Sequence, residues 1–149
     1  MEEKKTKKPY KHLFFIRLIV GIIFLFFGIM HLINPENFQN ILRASDTPLV
    51  PFNLVFVPIA EIVVGALLLL GLISRIAGII GFIIMVIGAW TTLILMHLDP
   101  SQLPDDLTQK PFYPPIFIPI VLALLCLYIT IFGCGAWGID SYRKGKKEG

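Results

Sequence analysis

The sequence has little charge and almost no cysteine. Only 15% of its 149 residues are charged and 56% are hydrophobic, whereas about 25% of the residues of a soluble domain are charged. This composition excludes an ordinary soluble domain, and it excludes a disordered chain because disordered segments are poor in apolar residues. Two cysteines are too few for a disulfide-stapled secreted fold. A mean hydropathy of +0.78 indicates instead that the chain lies in a lipid bilayer.

The motifs of several common enzyme classes are also absent. The chain has no P-loop, GxSxG or HExxH sequence, so P-loop nucleotide binding, serine hydrolysis and a zincin-type metal site have no support. It has no CxxC, and Cys126 and Cys134 lie ~12 Å apart if they share one helix, too far for a disulfide. The pI near 9.0 shows a basic chain, but its basic residues are not interleaved with aromatic residues as they are in nucleic-acid-binding proteins. We therefore expect no metal site and no nucleic-acid partner.

Four apolar stretches are each long enough to cross a bilayer as a helix, which takes about 20 residues. They cover about residues 13–33, 52–73, 76–98 and 115–137. The predicted fold is an all-α bundle of four transmembrane helices over residues 13–137, between basic tails at 1–12 and 138–149. Small residues at helical spacing, such as Gly21 and Gly28 on the first span and Ala77, Gly81 and Gly88 on the third, are expected to pack the helices together.

The positive charges predict the orientation of these spans. Eleven of the 13 Lys and Arg residues lie at the two ends of the chain or in the short turn between spans two and three. By the positive-inside rule, both termini face the cytoplasm.

In the first outer loop, Asn34 and Pro35 are typical of a helix start, and Phe38, Ile41 and Leu42 follow at helical spacing. This pattern predicts a short amphipathic helix lying in the outer interface.

Glu61 stands out because it lies about nine residues inside the second span, ~14 Å below the outer boundary. A carboxylate at such a depth is costly, so Glu61 must be protonated, paired or hydrated, and a functional site is the default hypothesis. The alternative is a neutral carboxyl group that serves only packing. We expect an outer-half pocket around Glu61, with the following polar or aromatic candidates: His31, Trp90, Thr91, His97, Tyr128 and, with a long reach, Arg17.

His31 and His97 lie near the outer ends of spans one and three. Such histidines can relay protons or ligate haem. Neither has a second ligand three or four residues away on its own helix, which favours the alternative that both are solvated at the outer surface.

The order and spacing of several short motifs resemble those of DoxX-like membrane proteins. The first set is Arg17-x3-Gly21 and Phe24-x3-Gly28-x2-His31-Leu32-x1-Asn34-Pro35-x2-Phe38. The second set is Pro51-Phe52 followed by Ala60-Glu61-x3-Gly65-x5-Gly71-x3-Arg75-x1-Ala77. The match covers roughly residues 13–95, and within it Glu61, Arg75 and Arg17 fall at positions characteristic of the family.

The resemblance implies a multi-pass protein of the bacterial inner membrane. Family members include thiosulfate:quinone oxidoreductase subunits and proteins associated with redox complexes. It thus implies a subunit supporting a quinone-linked redox system, with a membrane-protein partner or a homo-oligomer. The alternatives are a non-enzymatic assembly factor or structural subunit and, with less support, a small transporter. The residues themselves identify neither a catalytic group nor a cofactor; the resemblance allows a quinone, with haem as the weaker alternative.

Overall fold

The computed structural model describes residues 10–103 and 116–145, and within these ranges the chain is helical with no β-strand. The helices, in chain order, are α1 (Lys11–Ile33), α2 (Pro35–Ala44), α3 (Val50–Leu70), α4 (Ser74–Met96), α5 (Phe117–Phe132) and α6 (Ile139–Gly145). A single 3-10 turn, Pro100–Gln102, follows α4. The predicted tail at 1–12 falls largely outside the described residues, and so do residues 104–115, between the third and fourth predicted spans.

Three helices in the described ranges, α1, α3 and α4, are long and apolar enough to cross a membrane. The apolar helix α5 has 16 residues, which is about 24 Å and shorter than the ~30 Å of bilayer hydrocarbon. The prediction that the fourth span continues to residue 137 was wrong. The helix ends at Phe132 because Gly133 and Gly135 take left-handed backbone angles, although the residues after them are still largely apolar.

The second and third spans begin and end about two residues earlier than their composition predicts. Pro51 occupies the first turn of α3, where a proline fits because it has no N–H to leave unpaired. Gly71, in the left-handed region at φ 64°, ends the helix. The connection to α4 is therefore very short, and the two helices form the predicted antiparallel hairpin.

The amphipathic helix predicted after the first span is confirmed as α2. Phe38 and Leu42 are buried, whereas Glu36 and Arg43 on the other face are exposed. Asn34 occupies the N-cap position, but its side chain makes no capping hydrogen bond. The apolar face of α2 packs against the ends of α1, α3 and α4.

The bundle is built from two tightly packed helix pairs, α1 with α3 and α4 with α5. At the first contact a Cβ on Gly65 would lie 2.8 Å from the Gly21 carbonyl oxygen, so only glycine allows this approach. At the second contact a Cβ on Gly81 would lie 3.0 Å from Cys126 Sγ. Gly88, expected in the same stripe as Gly81, is instead in looser surroundings, since a Cβ there would lie 4.0 Å from Cβ of Pro119.

The two ends of the bundle are formed by different helices and turns. The α2 end comprises α2, the ends of α1 and α4 and the starts of α3 and α5. The Arg17 end comprises the start of α1, the turn at 71–73, the end of α5 and α6. Between the two ends, large apolar side chains face outward along α1, α3, α4 and α5, as expected where the surrounding solvent is lipid.

Candidate functional site

Glu61 lies on α3 and is 3% exposed, so its side chain is buried inside the bundle. His31, near the end of α1, is its partner: Nδ1 of the imidazole lies 2.8 Å from Oε2 of the carboxyl group. The side chain of His31 is 26% exposed. Of the alternatives protonated, paired or hydrated, Glu61 is thus paired, with His31 as its partner, and the alternative that His31 is merely solvated at the outer surface was wrong.

The antiparallel packing of α1 and α3 explains why these two side chains meet. Gly21 packs on Gly65 and Gly28 packs on Pro58, which places Glu61 roughly level with Leu25. Helix side chains lean towards the N-terminus of their own helix. On antiparallel helices the carboxylate therefore leans towards the α2 end, and the imidazole leans from that end towards the carboxylate.

The His31 ring is held between aromatic rings. Phe38 of α2 stacks on it with the ring centroids 4.3 Å apart and the planes at 16°, and Phe27 of α1 lies 6.2 Å away at 27°. Phe38 belongs to the predicted amphipathic helix, but its contact with His31 was not foreseen. The contact depends on how α2 folds back over α1, and the residue pattern within either helix does not predict how the two helices pack together.

The pair can hold and pass a proton. An ionised carboxylate only accepts hydrogen bonds, so opposite ionised Glu61 the proton of the bond is carried by Nδ1 of His31. In a neutral imidazole this leaves Nε2 as an acceptor. If Glu61 is protonated instead, it donates to Nδ1 and Nε2 carries the ring proton. Nε2 of the partly exposed ring can thus accept or donate, depending on where the shared proton lies.

Three other predicted pocket residues do not contact this pair. Trp90 is 65% exposed and faces outward from α4. Thr91 is half-buried, while its neighbour Thr92 is buried and donates to the Gly88 carbonyl oxygen. His97 is exposed and its Nδ1 lies 2.8 Å from the Leu93 carbonyl oxygen of its own helix. The solvated alternative is therefore the better description of His97.

Tyr128 lies at the opposite end of the bundle, which corrects its expected place near Glu61. Its hydroxyl lies 2.8 Å from Nε2 of His12. Because His12 and His31 are 19 residues apart on α1, they are about 28 Å apart along the helix. Because α5 ends at Phe132, Tyr128 lies four residues from the end of the helix rather than nine residues from the end of a span reaching residue 137.

Arg17 also lies at that opposite end and is buried, with 1% exposure. Its Nη1 donates to the Cys134 carbonyl oxygen at 2.6 Å and its Nη2 to that of Trp137 at 3.4 Å. The guanidinium group fits only because Gly71 and Gly138 have no side chain, since a Cβ there would lie 2.5 Å and 2.6 Å from Nη1. Arg17 therefore does not reach Glu61, and its partners are main-chain carbonyl groups.

Asp140 is a structurally important residue that the sequence pattern did not reveal. Its carboxylate oxygens accept hydrogen bonds from the main-chain N–H groups of Ile73 and Ser74, both at 2.9 Å. It thereby caps α4 from a distant part of the chain. Asp140 lies in the stretch expected to be a basic tail, and a cap contributed from 66 residues away has no local sequence signal.

Within the described residues, no group of three or more His, Cys, Asp and Glu side chains is placed to hold a metal ion. The chemistry available at the α2 end is thus that of a hydrogen-bonded, proton-sharing pair beside aromatic rings.

Comparison with known proteins gives one match. A family model described as DoxX matches residues 12–97, which include α1, α2, α3, α4 and both members of the His31–Glu61 pair. No curated protein and no solved structure matches the chain.

Proposed function

The chain belongs to the DoxX family of membrane proteins, and from this premise we propose that it is a membrane subunit supporting a quinone-linked redox system. The His31–Glu61 pair binds the quinone headgroup at the α2 end. The observation that carries this proposal is the 2.8 Å bond between a buried carboxyl group and a partly exposed imidazole.

The chemistry of a quinone suits this pair. Reduction of a quinone to a quinol takes two electrons and two protons, and its carbonyl oxygens accept hydrogen bonds. Nε2 of His31 can donate to such an oxygen when Glu61 holds the shared proton. His31 then passes its Nε2 proton to the reduced quinone oxygen and takes the Glu61 proton at Nδ1, so the pair supplies one of the two protons, and the second proton comes from water. The electrons come from the partner redox protein, so this chain contributes binding and protons rather than an electron carrier.

We further propose that the fold has four membrane spans with both termini in the cytoplasm, in the inner membrane of a bacterium. The length of α5 leaves it short of a full span, but it is predominantly apolar and packs closely along α4. A helix packed against a spanning helix over Gly78 and Gly81 lies at the same depth. The excess of Lys and Arg at the Arg17 end supports the cytoplasmic side for that end.

The test is the replacement Glu61→Gln, which keeps the shape of the side chain but cannot take up or release a proton. We expect membranes containing this variant to lose most of the quinone-reducing activity of the associated complex, while the amount of inserted protein is unchanged. Lipid extraction of the protein purified in mild detergent should recover a quinone from wild type and less from the variant.

The matched control is Glu36→Gln, because Glu36 is an exposed acid on α2. It should leave both activity and quinone content unchanged. Wild-type activity in Glu61→Gln would contradict the proposal. A stoichiometric protein partner in the same preparation, without quinone, would support the alternative of a structural subunit or assembly factor.

A further inference from the structure

Helix α2 covers the candidate site with very few side chains. Of its ten residues, Phe38 and Leu42 are buried. The Phe38 ring lies flat on the His31 ring, with the centroids 4.3 Å apart. The element that closes the site is thus a short amphipathic helix whose contact with the imidazole is a single aromatic ring.

Both connections of α2 are suited to movement of the helix as a unit. At its start, a single residue, Asn34, separates it from α1. At its end, Asp46 and Leu49 adopt positive φ angles of 52° and 54°, a region that residues with side chains rarely occupy. Such strained residues cluster at switch regions. A change at these few positions would swing α2 without altering the helices of the bundle.

We propose that α2 is a hinged lid over the His31–Glu61 pair, and that the Phe38 ring is the plug which controls access of ligand and water to it. This inference rests on the proposed function, since it concerns the regulation of the same site. In the closed state described here, Phe38 covers one face of the imidazole. Opening exposes that face and leaves a space, shaped for a flat ring, beside a proton-sharing pair.

The packing of the molecule indicates that α2 opens before the bundle does. The α1–α3 pair is fixed by close glycine contacts along its length, whereas α2 buries only Phe38 and Leu42 of its ten residues. Elements with few buried apolar contacts open locally at low free energy. The lid therefore moves against a bundle that stays folded.

Hydrogen exchange of the full-length protein in lipid nanodiscs tests this mobility. We expect the amides of α2 to exchange at least about 100-fold faster than those in the middle of α1 and α3. Equal protection of α2 and the middle of α1 would overturn the proposal, because a lid that never opens cannot control access.

The plug is tested by the rate at which diethyl pyrocarbonate modifies His31, measured by mass spectrometry, with exposed His97 as the internal reference. We expect Phe38→Ala to raise the ratio of the His31 rate to the His97 rate about ten-fold, and Phe38→Leu, which keeps an apolar side chain, to raise it less. The matched control is Leu42→Ala, which loosens the same helix without removing the ring that covers His31. An unchanged ratio in Phe38→Ala, or an equal rise in Leu42→Ala, would overturn the assignment of Phe38 as the plug.

Neither measurement uses a quinone or the partner complex. If exchange and modification behave as expected while Glu61→Gln retains full activity, the lid stands and the proposed function fails. If α2 is rigid while Glu61→Gln is inactive, the function stands and the lid fails.

Discussion

The bundle buries one ionisable side chain near each end, and the two are stabilised by different partners. At the α2 end, Glu61 is paired with the side chain of His31, which is itself ionisable and partly exposed. At the Arg17 end, Nη1 and Nη2 of Arg17 donate to the main-chain carbonyl oxygens of Cys134 and Trp137. The imidazole that partners Glu61 can change its charge, whereas the main-chain carbonyl groups that partner Arg17 cannot.

This difference separates a candidate site from a structural anchor. Main-chain carbonyl groups are neutral and fixed in place, so Arg17 holds the segment after α5 against α1 and the turn at 71–73. Asp140 adds a cap on α4 from the same segment and interacts favourably with the charge of Arg17. The His31–Glu61 pair instead keeps an exposed ring whose hydrogen-bonding state can change. We therefore expect substitutions at the Arg17 end to change stability, and substitutions at the α2 end to change function.

The largest effect is expected from Arg17→Ala. The substitution removes the side chain that fills the space between Gly71 and Gly138 and leaves the carbonyl oxygens of Cys134 and Trp137 without their donor. The free energy of unfolding should fall by about 3 kcal/mol or more, measured by thermal or detergent-induced unfolding. Exposed Arg75 supplies the matched control, since Arg75→Ala should change stability by less than about 0.5 kcal/mol. Equal effects of the two substitutions would mean that Arg17 is no anchor.

A second test adds a methyl group beside the guanidinium. Gly71→Ala places a Cβ 2.5 Å from Nη1 of Arg17 at a residue with φ 64°, and should cost about 1–3 kcal/mol. Gly88→Ala is the control because its Cβ would lie 4.0 Å from Cβ of Pro119; it should be neutral or stabilising by up to about 1 kcal/mol. If both variants melt at the same temperature, the close packing at the Arg17 end is not important for stability.

The cap provides a smaller effect at the same end. Asp140→Ala removes the acceptor of the N–H groups of Ile73 and Ser74 and should cost about 1 kcal/mol. Faster hydrogen exchange should appear in the first turn of α4 and not at its far end. Uniform exchange along α4 in wild type and variant would contradict the role of Asp140 as a cap.

The smallest change in stability is expected from Glu61→Gln. The amide can still bond with His31, so the loss should stay below about 1 kcal/mol, in the same unfolding assay as Arg17→Ala. The comparison of the two ends fails if Glu61→Gln destabilises the protein as much as Arg17→Ala does, because Glu61 would then be an anchor as well.

Much of the fold could be predicted because hydropathy is a local property. The first three spans and α2 follow directly from runs of apolar residues and from the pattern Asn34-Pro35 with apolar residues at helical spacing. The end of the fourth span could not be predicted in this way, because apolar residues continue beyond it. Gly133 and Gly135 end α5 through their backbone angles, and composition does not report those angles.

The candidate site could be predicted in part. Glu61 was identifiable because a buried acid conflicts with its apolar surroundings, and His31 was among the expected neighbours. Trp90 and Tyr128 were expected near it from their depth, but depth does not give the direction in which a residue faces, and Arg17 was expected to reach Glu61 only with an extended side chain. Trp90 faces outward, and the other two lie near the far end of the bundle.

By itself, the sequence determined that this is a helical DoxX-family membrane protein with an acid where an apolar residue would be expected. Only the tertiary structure decided that the acid meets His31, that Phe38 covers the imidazole and that Arg17 is held by main-chain carbonyl groups. The physical reason is that apolar periodicity defines each helix separately. The register and rotation of one helix against another depend on close contacts such as Gly21 with Gly65, between residues far apart in the chain.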